Sequence, residues 1–216
     1  MTYQSVSERG RFIVFEGVDG CGKTTQSKLL AEALGALWTR EPGATALGQE
    51  LRSLLLDHDR VTPSPVPRAE ALMMLADRAQ HIEEVIRPAL EEGRWVVSDR
   101  FAGSTIAYQG YGRGFDSPTF RAAIDFSTAG VAPDLVVLLT VGREEAAARM
   151  GERRDRFEAL GVAFFEKVRE GYEAQAIEDP ARWATLDGTG PLGVVAARVL
   201  AAVNERLLPQ PVAPTR

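Results

Sequence analysis

The chain has 216 residues, 45% of them hydrophobic, with a net charge of −5 and a pI near 5.2. That is enough apolar sequence to bury the core of one α/β domain. The acidic balance argues against a protein that coats nucleic acid, whose footprint would be basic, but leaves room for a small phosphorylated ligand held by a local arginine cluster.

Residues 1–11 are polar and lack the apolar stretch of a secretory signal. A strand is predicted over 12–16, FIVFE, followed at once by Gly17-Val18-Asp19-Gly20-Cys21-Gly22-Lys23-Thr24. This segment fits G-x-x-x-x-G-K-[ST], the phosphate-binding P-loop, and a helical pattern follows over 23–34. Glycines let backbone N–H groups converge on phosphate oxygens, and the helix N-terminus adds a favourable dipole. Lys23 would reach the β- and γ-phosphates of a nucleotide, and the Thr24 hydroxyl would hold magnesium. Asp19 either meets magnesium or a ligand hydroxyl, or stabilises the turn itself. Cys21 is the sole cysteine, which suits a reducing, cytoplasmic compartment, and it reads as a small residue at a free position of the motif.

The next strand, 37–40, runs into a Glu-Pro-Gly turn that can aim Arg40 into a crevice. Helices are predicted over 46–56 and, after a proline-rich loop at 62–67, over 68–92. Met74 and Arg78 lie four apart on one face of that long helix. Together they offer the flat apolar contact and the donor that an aromatic base requires, or else a core methionine beside a surface arginine. The strand 95–98 leads to Asp99 and Arg100. A carboxylate there can help place magnesium opposite the phosphate loop, and the arginine can grip a phosphate. Beyond it come a helix at 117–130, a strand at 135–141, a helix at 144–150, a helix at 157–178, a strand at 183–186 and a helix at 192–207. Arg149, Arg153, Arg154 and Arg156 cluster near Gly151. An arginine-rich lid at about 149–158 would bring cations to a moving phosphate and exclude water. The tail 209–216 is expected to be disordered. His58 and His81 stand alone, without ligand spacing, and are assigned no metal. No apolar run approaches the roughly 20 residues of a membrane span.

Alternating strands and helices predict a single α/β domain, 1–216, of the three-layer P-loop NTPase type. It would have a parallel five-stranded sheet flanked by helices, with ligands at the carboxyl ends of the strands.

The segments FEGVDGCGKTTQ, TREPGAT with LRSLLLD, ADRAQH with IRPAL, SDRF, AYQGYGRG and DRFE, in this order and spacing, resemble the bacterial thymidylate kinase family from about Phe12 to Asn204. The resemblance implies transfer of the γ-phosphoryl of ATP to dTMP with magnesium, in dTTP biosynthesis, by a cytoplasmic homodimer without a nucleic-acid or membrane partner. It implies that Arg40 and Arg100 hold the dTMP phosphate and that Arg78 bonds the thymine edge. Ser104 and Thr105 would line the base, with Thr105 near N3. Tyr108 would lie under the deoxyribose, Gln109 would close over the substrate, and Asp19 would meet the 3′-hydroxyl or the magnesium shell. Met74 stands where the family usually has a stacking Phe, and it can pack on a ring through its polarizable sulfur. Ala44 replaces a glycine of the family's REPGGT turn. Gly20 stands where some relatives carry an arginine, which makes Arg153 and Arg149 of the lid the expected sources of catalytic charge. The alternatives are a related P-loop kinase acting on another nucleoside monophosphate, and a P-loop switch protein. Guanine-reading switches use Asn-Lys-x-Asp, whereas the only asparagine here, Asn204, is followed by Glu205 and Arg206.

Overall fold

The computed structural model describes residues 9–57, 60–115, 117–150 and 161–208. Five strands, β1 (Phe12–Glu16), β2 (Leu37–Arg40), β3 (Val96–Asp99), β4 (Leu135–Thr140) and β5 (Trp183–Asp187), form one sheet in the order β2-β3-β1-β4-β5. Every pairing is parallel. The predicted strands are recovered to within a residue at each end.

All five residues of β1 are buried. Ile13 and Phe15 join a core with Leu30, Val97, Val137, Val195 and Val199, under helices α1 (Lys23–Leu34) and α9 (Leu192–Leu207). Phe12 and Val14 face the opposite core, with Ile82, Ile86, Val96 and Phe101. A central strand covered on both faces has no polar side to spare, which is why its run is continuously apolar up to Glu16.

The long predicted helix is α3 (Pro67–His81), a π-helical stretch at Ile82–Ile86 and α4 (Arg87–Glu91) in one continuous rod. The π register ends two residues before Pro88, which lacks an N–H and crowds the carbonyl four residues back. Helices α2 (Ala46–Leu56), α6 (Pro118–Thr128) and α7 (Arg143–Met150) also lie where the pattern puts them. Gly161, with φ of 83°, precedes α8 (Val162–Glu178), so the helix predicted from residue 157 begins at Val162. The arginines 153, 154 and 156 and the tail 209–216 lie outside the described residues.

One element was not predicted. After β3 the chain forms a short helix α5 (Ala102–Thr105) that continues as a π-helical stretch, Ile106–Gly112. Its three glycines weaken the local helical signal. Packing supplies what propensity lacks: a Cβ on Gly171 of α8 would lie 3.0 Å from Ala107 Cα, and one on Gly112 would lie 2.6 Å from the Phe164 ring. Ala107, Tyr108, Phe164, Val168 and Tyr172, with Leu138 of β4, make the third core cluster.

The connections place the site. After β1 the chain passes over to β2, and after β3 it crosses to β4 on the other side of β1. The crossovers diverge between β1 and β3, the point at which an open parallel sheet leaves a crevice at its carboxyl edge.

Candidate functional site

The glycine loop after β1 has the conformation its sequence demands. Gly17, Gly20 and Gly22 have φ of 141°, 78° and 93°, values that L side chains rarely adopt. Gly22 is the N-cap of α1 and no side chain caps that helix, so its first amides remain available to an anion. Lys23 folds back over the loop, its Nζ 3.2 Å from Val18 O and 3.1 Å from Asp19 Oδ1. Cys21 is buried, with its sulfur against the backbone of Gly17. A Cβ on Gly20 would stand 2.3 Å from Ala146 O, so helix α7 packs directly on the loop.

Across the crevice, Thr24 Oγ1 donates to Asp99 Oδ2 at 2.5 Å, while Asp99 Oδ1 is buried without a hydrogen-bond partner. Arg100 is one of two described non-glycine residues with positive φ, at 76°. Such a conformation costs on the order of 1–3 kcal/mol and persists where its surroundings over-determine it. Arg100 Nη2 donates to Asp19 Oδ1 at 2.5 Å, and Nη1 reaches Gly17 O, Ser104 Oγ and Tyr172 OH at 3.2, 2.9 and 3.0 Å. Tyr108 OH donates to the other oxygen of Asp19 at 2.9 Å. Burial works against the charge on Asp19, but Arg100 and then Lys23 outweigh it and hold the carboxyl well below the usual range. Burial likewise opposes the charge on Arg100, and Asp19 above all holds its pKa well above the ordinary value. Burial first, then Asp19, raises the Tyr108 hydroxyl; burial first, then Glu16, raises that of Tyr172. Both remain protonated donors at neutral pH.

The residues predicted for one site share one cleft: Asp19, Lys23 and Thr24 on the loop side, Arg40, Met74, Arg78, Asp99 and Arg100 on the far side, and Ser104, Thr105, Tyr108 and Gln109 from the unpredicted α5 element. Arg78 is almost wholly buried. It pairs with Glu41 at 2.9 Å and donates to Thr105 Oγ1 at 2.8 Å, leaving Nη1 buried without a partner. Met74 packs against the Tyr108 and Phe164 cluster. Gln109 Nε2 donates to Glu70 Oε1 at 3.0 Å, which fixes its amide, and Arg113 holds the other oxygen of Glu70 at 2.7 Å.

Five residues lining the cleft were missed: Glu41, Pro42, Arg52, Leu56 and Phe101. Glu41 joins Arg78 to His81, whose other ring nitrogen is 2.6 Å from Thr39 Oγ1. Arg52 reaches Pro42 O at 3.0 Å, and the Phe101 ring lies 5.3 Å from the Arg78 guanidinium. Glu41 and Arg52 fall inside quoted motifs, but in a polar turn and on a helix face where charge is ordinary. Arg149 is not in this cleft. It lies on the other side of the loop, 3.5 Å from Gly20 O and Cys21 O, 3.1 Å from Gly188 O, and paired with Glu145.

The arrangement offers a phosphate cradle and a second, arginine-lined pocket that meet at one carboxylate. Such geometry suits transfer of a phosphoryl group between two bound molecules.

Comparison with known proteins agrees. A family model described as thymidylate kinase matches residues 15–199. The chain is 44% identical to a thymidylate kinase of Synechococcus sp. over 209 residues, which cover 92% of this chain and 99% of that one. It is 46% identical to the thymidylate kinase of Pelotomaculum thermopropionicum, over 92% of this chain and 95% of that one. The crystal structure of thymidylate kinase from Ehrlichia chaffeensis matches with a TM-score of 0.74 at 32% identity, over 90% of this chain and 99% of that one. The chain belongs to the thymidylate kinase family.

Two buried carboxyls give the site a pH response. Burial pushes Glu16 up to about 7, against the Ser104 hydroxyl, Arg100 and the amides of Phe101 and Ser104, which favour its charge. Burial and then Glu41 push Asp77 up to about 6, opposed by the Gly43 amide, His81 and Arg78. A carboxyl whose pKa rises on folding binds its proton more tightly in the folded chain. Its contribution to stability is fully present below the unfolded pKa, about 4, and is lost as pH rises through 6 to 7. Glu16→Gln cannot ionise. Between pH 5 and pH 8 its stability, from urea unfolding, should rise relative to wild type by on the order of 1–3 kcal/mol. A difference independent of pH would mean that burial does not perturb Glu16.

Proposed function

We propose that the chain transfers the γ-phosphoryl group of ATP to dTMP, giving dTDP for dTTP synthesis. The observation that carries this reading is the position of Asp19, which accepts from Lys23 of the phosphate loop and from Arg100 of the second pocket. Two phosphates bound to those cations would lie side by side. In this reading Arg40 and Arg100 take the acceptor phosphate. Met74 packs on the base, and the unpartnered Nη1 of Arg78 donates to its edge beside Thr105. Ser104 lines the pocket, Tyr108 lies beneath the sugar, and Gln109 closes the far end.

Magnesium fits the crevice. Thr24 and Asp99 would hold it, since Asp99 Oδ1 is buried and lacks a partner. Among the described residues no group of three or more His, Cys, Asp or Glu is gathered for a metal, so water and phosphate oxygens would complete its shell. When bound, the ion would neutralise charge on the polyphosphate.

The catalytic cation of the donor side would come from α7 and the segment after it. Arg149 supports this by lying against the loop carbonyls, while Gly20 has no room for a side chain. A homodimer is supported by apolar surface on neighbouring helices: Leu47 of α2, Leu72 of α3 and Phe126 of α6 are exposed, Phe126 by 87%. Among the described residues no helix is long and apolar enough to cross a membrane. The proposed location is the cytoplasm, where nucleotides are made.

Purified protein with ATP and magnesium should convert dTMP to dTDP in preference to dUMP, UMP, CMP, AMP and GMP, and Lys23→Ala should remove most turnover in a coupled assay. Efficient turnover of another monophosphate with none of dTMP would overturn the assignment. Arg149→Ala or Arg153→Ala should lower kcat on the order of 10³-fold with little change in dTMP affinity. Wild-type kcat in both would leave the catalytic charge to Lys23 and Arg100. Light scattering should give twice the 23.5 kDa chain mass, and Leu72→Glu should reduce it to one chain. A monomeric wild type would remove the dimer.

A further inference from the structure

Glu16 does not line the cleft, yet it holds two residues that do. It is fully buried at the end of β1. Its Oε1 accepts the amides of Phe101 and Ser104, each at 3.0 Å, and its Oε2 accepts Ser104 Oγ at 2.5 Å. Arg100 immediately precedes Phe101 in the left-handed conformation. Three bonds fix that backbone. Arg100 N donates to Phe15 O at 2.9 Å, Arg100 O accepts Ser98 Oγ at 2.7 Å, and the next amide goes to Glu16. The side chain is fixed in turn through Ser104 Oγ, 2.9 Å from Arg100 Nη1. Glu16 therefore grips Arg100 twice, once through the backbone and once through the serine.

We infer that Glu16 is a positioning residue for the acceptor phosphate, aiming Arg100 into the cleft by clamping the Phe101 amide and Ser104 without touching substrate. The inference rests on the reading of the cleft as a dTMP site. Its lever is reach rather than charge. Aspartate at position 16 keeps the charge but withdraws both acceptors by about 1.5 Å, one carbon–carbon bond. Glutamine keeps the reach. Its Oε1 can accept both amides and its Nε2 can donate to Ser104 Oγ, whose own proton then turns to Tyr172 OH, 2.8 Å away.

The test compares dTMP with thymidine, which lacks the phosphate, by calorimetric binding to wild type, Glu16→Asp and Glu16→Gln, with thermal melts alongside. The ratio of the two affinities measures the phosphate grip. Glu16→Asp should lower that ratio tenfold or more, Glu16→Gln less than threefold, and thymidine affinity should stay within threefold in both. An unchanged ratio in Glu16→Asp would overturn the inference. So would an equal loss in Glu16→Gln, which would make charge the lever, or a parallel loss of dTMP and thymidine, which would make the role structural only. Ser98→Ala removes the other clamp on Arg100 and decides the matter if Glu16→Asp does not fold. It should lower the ratio at least threefold, and no loss there overturns the inference. A wild type that binds thymidine as tightly as dTMP overturns the acceptor reading itself and the role of Glu16 with it.

Discussion

The register of β1 against β3, with Phe15 opposite Asp99, is the constraint on which the rest of the cleft depends. Both strands end at the same level and about 4.8 Å apart. β1 runs through Glu16 into the phosphate loop, and β3 runs into Arg100 and α5. Thr24 meets Asp99, Lys23 and Arg100 meet at Asp19, and Glu16 meets Phe101 because of that alignment. A slip of one residue would turn every side chain of one strand to the opposite face and separate all of these pairs at once. The continuous burial of β1 makes such a slip costly, since both faces are already filled.

Charges in so enclosed a cleft need partners. The carboxylates there serve three of its cations, while Nε of Arg40 is buried without a hydrogen-bond partner. Asp19 serves Lys23 and Arg100, and Glu41 serves Arg78 with His81 behind it. The two arrangements differ in what they leave available. Glu41 and Thr105 occupy Nε and Nη2 of Arg78 and leave Nη1 bare, with both of its N–H donors held in fixed directions. The bonds of Arg100 to Asp19 are of the kind a phosphate replaces, because a phosphate offers more charge to the same guanidinium. In the proposed reading one arginine serves shape and the other charge.

Most of this was legible in the sequence where chemistry and neighbours in the chain coincide. The loop from Gly17 to Thr24 carries its function in eight consecutive residues, and the apolar runs of β1, β3 and β4 are unambiguous between turns. Met74 with Arg78 is legible because helical spacing puts both on one face. The helix from Ala102 to Gly112 was not legible. Gly103, Gly110 and Gly112 lower its propensity, and its reason for existing lies some sixty residues away in α8, where Gly171 lets the two helices close on each other. The resemblance nevertheless pointed to Ser104, Thr105, Tyr108 and Gln109, which this element brings to the cleft. Glu16 escaped notice because a single acid at a strand end carries no pattern. Its meaning comes from the amides it meets across the sheet.

The loop and α7 show how packing can decide where charge resides. Gly20 has a left-handed φ of 78°, which already disfavours a side chain, and the Ala146 carbonyl occupies the place where a Cβ would go. A cation carried on the loop at this position would have to displace α7. With glycine there, α7 approaches closely enough for Arg149, one turn beyond Ala146, to lie over the carbonyls of Gly20 and Cys21. The same contact brings it to Gly188 after β5. A small residue in the loop and an arginine on the helix are thus two halves of one steric arrangement, and the absence of a side chain at Gly20 is what lets Arg149 lie against the loop.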